Sequence, residues 1–132
     1  MPDRQQVLRE IWRVLRPGGK FALTDVTEER PLSDEQRALL YGSFMLRSLE
    51  TIDRYPALVN GAGFVVDEVI DISAHTKRTL QFVSDALIQK RDEIRALYGD
   101  DLLVTLEQAW PQLAALQRDY LGYVVLVAQK PR

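Results

Sequence analysis

Between Asp3 and Leu15 the apolar residues Val7, Leu8, Ile11, Trp12, Val14 and Leu15 recur at helical spacing, while Arg9, Glu10, Arg13 and Arg16 take the wetter side. The pattern predicts an amphipathic helix. Pro17 blocks its continuation, and Gly18-Gly19 supplies backbone angles closed to other residues. The period then changes. Residues 20–26 include Phe21, Ala22, Leu23, Thr24 and Val26, which predicts a short strand buried on both faces and ended by Asp25.

Ser33 can cap a helix that begins at Asp34-Glu35-Gln36, whose early acids face the positive end of the helix dipole. Leu39, Leu40, Phe44, Met45 and Leu49 extend that helix, and Gly42 weakens its middle. Asp53 starts another through Tyr55, Leu58 and Val59, closed by Asn60-Gly61. Residues 64–72 alternate around Val66, Val69, Ile70 and Ile72 and predict an edge strand with one partly exposed face. Helices are expected over 76–97 and 101–116. Residues 121–129 end the pattern as a strand whose continuous apolar run, Tyr123 to Val127, belongs between two neighbours. The expected strand order is therefore first, last, middle.

Composition narrows the possible functions. A chain of 132 residues, 46% hydrophobic and 27% charged, suits one folded domain. A net charge of −2 without a basic stripe argues against binding nucleic acid through its phosphates. With no cysteine and one histidine, His75, neither a thiolate site nor a histidine cluster can form, and no metal site is expected. The N-terminus is charged where a signal peptide would be apolar, and no apolar run approaches membrane-spanning length, so a cytoplasmic location without membrane contact is expected.

The stretch Leu8-Arg9-Glu10-Ile11-Trp12-Arg13-Val14-Leu15-Arg16-Pro17-Gly18-Gly19-Lys20-Phe21 resembles the region after the fourth strand of class I S-adenosylmethionine-dependent methyltransferases. Leu58-Val59-Asn60-Gly61-Ala62-Gly63-Phe64, and the ending from Gly122-Tyr123 to Ala128-Gln129-Lys130-Pro131, resemble the approach to the sixth strand and the seventh strand. Within the class the likeness is to small-molecule and natural-product methyltransferases. It implies an α/β fold that is part of a Rossmann-like class I methyltransferase domain. The implied sheet is mixed and three-stranded, made of the fifth, seventh and sixth strands, with about five helices.

Residues 1–132 are accordingly expected to form the C-terminal portion of such a domain. Only a dozen residues precede Arg13, too few for the first four strands, so the cofactor-binding N-terminal half is expected to be absent. The family grips S-adenosylmethionine with a glycine-rich loop after its first strand and an acid after its second. No such loop occurs here, and no cofactor-binding residue is assigned. The resemblance implies S-adenosylmethionine as methyl donor and a small-molecule hydroxyl as acceptor for the complete enzyme, and this chain alone is expected to bind the donor poorly.

Some natural-product O-methyltransferases of this type pair a histidine near the fourth strand with an acid just after the fifth. Asp25 matches the position of that acid and is the candidate catalytic residue; the histidine would fall before Met1, and His75 does not match it. Asp25 could accept a substrate hydroxyl or orient a histidine, or it could simply bond the backbone that follows it. Tyr41, Phe44 and Met45 are candidate substrate-binding residues, as a lid over an apolar acceptor, although a core-facing stripe has the same spacing. Phe82, Val83, Leu87 and Tyr98 carry the same ambiguity. Asp34-Glu35 and Asp100-Asp101 read as helix starts, and Trp12 and Trp110 as packing anchors.

Without its usual neighbour the strand over 20–26 would expose unpaired backbone groups. This predicts association with a second copy or with a complementary N-terminal half. The alternative function is a non-catalytic, dimeric interaction or regulatory module built on the same fold.

Overall fold

The computed structural model describes residues 3–44 and 48–132, with the side chain of Phe44 outside the description. Helix α1 (Arg4–Val14) starts at Asp3, whose carboxylate accepts from the backbone N–H groups of Gln5 and Gln6, and is followed by β1 (Lys20–Glu28). Ser33 and Gln36 exchange side-chain and backbone hydrogen bonds of 3.2 and 2.9 Å, a reciprocal cap that begins α2 (Asp34–Phe44). A 3₁₀ turn (Ile52–Arg54) leads into α3 (Tyr55–Gly61), and β2 (Val65–Asp71) follows. Four helices come next: α4 (Ser73–Thr76), α5 (Thr79–Gln89), α6 (Arg91–Tyr98) and α7 (Asp100–Tyr120); β3 (Leu121–Gln129) completes the sheet. No described helix is long and apolar enough to cross a membrane.

The sheet order is β1-β3-β2, as the apolar run in β3 predicts. β1 and β2 run in one direction and β3 in the other. Both ladders are antiparallel, so within these three strands the sheet expected to be mixed is antiparallel throughout. Val124, Leu126 and Ala128 of β3 are fully buried against Leu8, Tyr55, Val59 and Phe64, which places α1 and α3 over one face of the sheet. Trp12, Phe64 and Phe21 meet edge-on there, with ring centroids 5.1 and 4.7 Å apart. A second cluster, Leu32, Leu40, Leu113, Leu116 and Leu121, joins α2 to α7 at the start of β3.

The opposite sheet face is more open. Register places Ala22 beside Val127, and Val125 between Thr24 and Ile70; the β3 residues are half-buried and Ala22, Thr24 and Ile70 exposed. The expectation that β1 is buried on both faces is therefore corrected. Only the side bearing Phe21, Leu23 and Asp25 lies under helices, so burial alternates with the pleat. β1 also runs three residues past Asp25, which sits inside the strand opposite Val124 and does not end it. β2 is an edge strand as expected but exposed on most of its length, with a bulge between Val66 and Glu68.

The single helix expected over 76–97 is divided. Lys90 leaves the helical region (φ −102°, ψ 17°), ends α5 by donating its N–H to Ala86, and turns the chain so that α6 packs on α7 through the Arg91–Glu107 ion pair. Tertiary packing decides this break, because neither glycine nor proline marks it. α7 runs four residues beyond the expected 101–116 and passes through Pro111 at the loss of one backbone N–H. Leu49, expected in α2, lies in an extended segment that places the Glu50 carbonyl 3.0 Å from the Glu28 N–H beside β1.

Lys130 ties the end of β3 to α1. Its ammonium donates to the carbonyls of Trp12 and Leu15 at 2.7 and 3.0 Å, satisfying orphan acceptors at the helix C-terminus, and stands 4.6 Å from the Trp12 ring centroid. Lys130→Met is expected to lower unfolding stability by about 1–2 kcal/mol in urea titrations. Gly63 adopts φ 101°, and a Cβ there would lie 2.9 Å from the Trp12 ring. Gly63→Ala is expected to cost about 1–3 kcal/mol, and an unchanged denaturation midpoint would contradict that packing.

Candidate active site

Arg4 lies in the first turn of α1 on the side that carries Leu8, so the helix directs its guanidinium under the sheet, where its side chain is 8% exposed. Asp25 comes from the covered side of β1, and its side chain is 13% exposed. Tyr55 opens α3 and is 1% exposed. Three elements thus bring a cation, a carboxylate and a phenol together in the core.

Arg4 Nε donates to Asp25 Oδ2 at 3.0 Å and to the Tyr55 hydroxyl oxygen at 2.9 Å, and Nη2 stands 3.0 Å from the same Oδ2. The Tyr55 hydroxyl donates to Oδ2 as well. Outside this triangle, Nη1 donates to Ser48 Oγ at 2.7 Å and Nη2 to the Ser48 carbonyl at 3.1 Å. A cleft of about 340 Å³ opens beside the group, lined by Asp3, Arg4, Gln5, Ser48, Glu50 and Leu58. Burial opposes the charge of Arg4, but the hydrogen bonds and charges of Tyr55 and Asp25 outweigh it and hold the guanidinium protonated. Tyr55 is pushed well above the ordinary phenol range, first by burial and then by donating to Asp25, with Arg4 partly opposing.

Asp25 therefore does not bond the backbone that follows it; its partners are Arg4 and Tyr55. Sequence reasoning singled out neither. The available signal was a charged residue in register with the apolar stripe: Arg4, Leu8 and Trp12 are spaced by four. Tyr41 is half-buried and packs with the Leu32–Leu40–Leu113 cluster, so its contacts lie apart from Asp25. Met45 lies outside the described residues, as does the side chain of Phe44. Phe82, Val83 and Tyr98 are exposed and Leu87 is buried; His75 is exposed on α4.

Neither glycine turn beside the sheet forms a cradle for a nucleotide-bearing donor. The Gly18 N–H is taken by the Lys130 carbonyl at 2.8 Å, with the Arg132 side chain 3.1 Å from where a Cβ would stand, and the space at Gly63 is filled by Trp12. Among the described residues, no cluster of three histidine or acidic side chains is arranged to hold a metal ion.

The raised Tyr55 pKa has a defined sign. The phenol contributes stability fully below pH 10.0, its unperturbed value, and loses it as pH rises through the folded-state value. Stability is expected to fall more steeply above pH 10.0 in the wild type than in Tyr55→Phe, as checked by chemical denaturation across the alkaline range.

No protein-family model matches the sequence. Curated relatives do. The chain is 37% identical over 130 residues to the (+)-O-methylkolavelool synthase of Herpetosiphon aurantiacus, covering 98% of this chain and 46% of that protein. It is 40% identical over 134 residues to the methyltransferase GfsG of Streptomyces halstedii, covering 99% and 46%. The chain spans about half the length of these relatives. Among solved structures, the cyclopropane synthase MmaA2 of Mycobacterium tuberculosis superposes with a TM-score of 0.80 at 18% identity, over 96% of this chain and 49% of that one. Phosphoethanolamine N-methyltransferase 2 of Haemonchus contortus, solved in complex with S-adenosyl-L-methionine, superposes with a TM-score of 0.76 at 21% identity, over 100% and 31%. The strand order, the match to these relatives over 98–99% of the chain and the shared fold together make this chain a member of the class I S-adenosylmethionine-dependent methyltransferase family, corresponding to about half of such a protein.

Proposed function

We propose that this chain forms the acceptor-side portion of an enzyme that transfers a methyl group from S-adenosylmethionine to a hydroxyl of a small molecule, with the donor held by a complementary N-terminal half. The observation that carries this reading is the end-to-end match to relatives whose names specify methylation, one of them an O-methyl product. The donor supplies an electrophilic methyl group; no residue of this chain is assigned to bind it.

Asp25 is the residue for the acceptor side. A carboxylate fixed on a strand can accept the hydroxyl proton or hold a histidine that does so, raising the nucleophilicity of the oxygen. Fixing that oxygen in line with the methyl group removes part of the barrier as orientation. Tyr41, Phe44 and Met45 remain the proposed wall for an apolar acceptor, and a cytoplasmic location belongs to the same proposal.

The uncovered side of the sheet supports a complementary half. Ala22, Thr24 and Ile70 are exposed on one face, and α1 carries Val7, Ile11 and the 69%-exposed Val14 along a shallow outer groove. The same surfaces favour the second reading, a non-catalytic module that dimerises through them.

Calorimetry with S-adenosylhomocysteine separates these possibilities. The 132 residues alone are expected to give no binding heat, and addition of the N-terminal half to restore it. Stoichiometric binding by the chain alone would overturn the division of the site. A stable homodimer in sedimentation that gains no ligand affinity from the added half would favour the module.

A further inference from the structure

The contacts on Asp25 are lopsided. An arginine fork facing a carboxylate commonly engages both oxygens in parallel. Here Arg4 Nε, Arg4 Nη2 and the Tyr55 hydroxyl all converge on Oδ2, and among the described residues Oδ1 receives no hydrogen bond. The guanidinium cannot rotate toward Oδ1 without leaving Ser48, which holds Nη1 through its hydroxyl and Nη2 through its carbonyl.

We propose that Arg4 and Tyr55 are positioning residues that tether Asp25 through Oδ2 alone and reserve Oδ1 as the acceptor for the reacting hydroxyl or its histidine partner. This rests on the assignment of Asp25 above. Each partner suits the task. Arg4 is buried and pinned at both ends of its fork, so it fixes the carboxylate plane as well as its charge. Tyr55 is fully packed at the start of α3 and points its proton at Oδ2, so its hydroxyl acts as a fixed donor. The tether joins α1, β1 and α3 to the segment at Ser48, and displacement of any of them would turn Oδ1 away from its target.

The test is a mutant cycle on methyl transfer, in the assembly of this chain with its donor-binding half. Asp25→Asn is expected to lower kcat by on the order of 10²–10⁴. Arg4→Lys, which keeps the charge but not the fork, and Tyr55→Phe are expected to lower kcat by about tenfold or more while leaving the acceptor KM within about twofold. In the Asp25→Asn background the same two substitutions should change kcat by less than about twofold, because the group they orient has gone. Thermal unfolding of each variant accompanies the kinetics, and Tyr55→Phe, which removes one oxygen, serves if Arg4→Lys does not fold.

If Arg4→Lys and Tyr55→Phe keep wild-type kcat while Asp25→Asn abolishes it, the positioning role is wrong. Equal losses in both backgrounds would reduce the pair to structural support and overturn it equally. If Asp25→Asn itself leaves kcat intact, the failure lies in the earlier assignment of Asp25, and the two failures are distinguishable.

Discussion

The architecture depends on β3 standing between strands made much earlier in the chain. Its inward residues, Val124, Leu126 and Ala128, are completely excluded from solvent and touch both α1 and α3. Without this strand β1 and β2 have no common neighbour, and the helices that cover the sheet have nothing continuous to pack on. Lys130 extends the dependence by closing the C-terminal carbonyls of α1, and the Gly18 and Gly19 backbone pairs with Lys130 in both directions. A helix end near residue 15 and a strand end near 129 thus stabilise each other.

The Arg4–Asp25 pair is a different kind of constraint. Burying two charges costs desolvation energy, and a packed apolar pair of similar volume often serves stability as well or better. The pair is held by Tyr55 and Ser48, so Asp25 Oδ2 and the guanidinium N–H groups are matched, and among the described residues no fully buried side-chain polar atom lacks a hydrogen-bond partner. Geometry is what the arrangement gains: one carboxylate oxygen fixed by two hydrogen bonds and an ion pair, on a strand whose register is set by the full β1–β3 ladder.

Much of this was legible before the structure. The 3.6 period of α1, its Pro-Gly-Gly stop and the unbroken apolar run of β3 are strong local signals that tertiary packing reinforces. The strand order followed from that apolar run alone. Three things were not legible. The break at Lys90 has no local breaker, because it is set by α6 folding back onto α7. The partners of Asp25 are 21 and 30 residues away in sequence, and only the helical register of Arg4 with Leu8 hinted that a charge pointed inward. Burial of β1 was overestimated because an apolar run records the neighbours a strand is suited to, whereas its exposure here reflects those it has.

The β1-β3-β2 order also governs biosynthesis. During translation β1 and β2 emerge before the strand that separates them, and neither can pair with it until residues 121–129 have been polymerised and released. Through that interval two strands with open edges coexist on one nascent chain, the condition under which wrong pairing and aggregation compete with folding. The helices of residues 73–120 form from local contacts during the same interval and separate β2 from β3 along the chain. Their length is thus also a delay line, and shortening it would change the yield of folded protein before it changed the stability of what had folded.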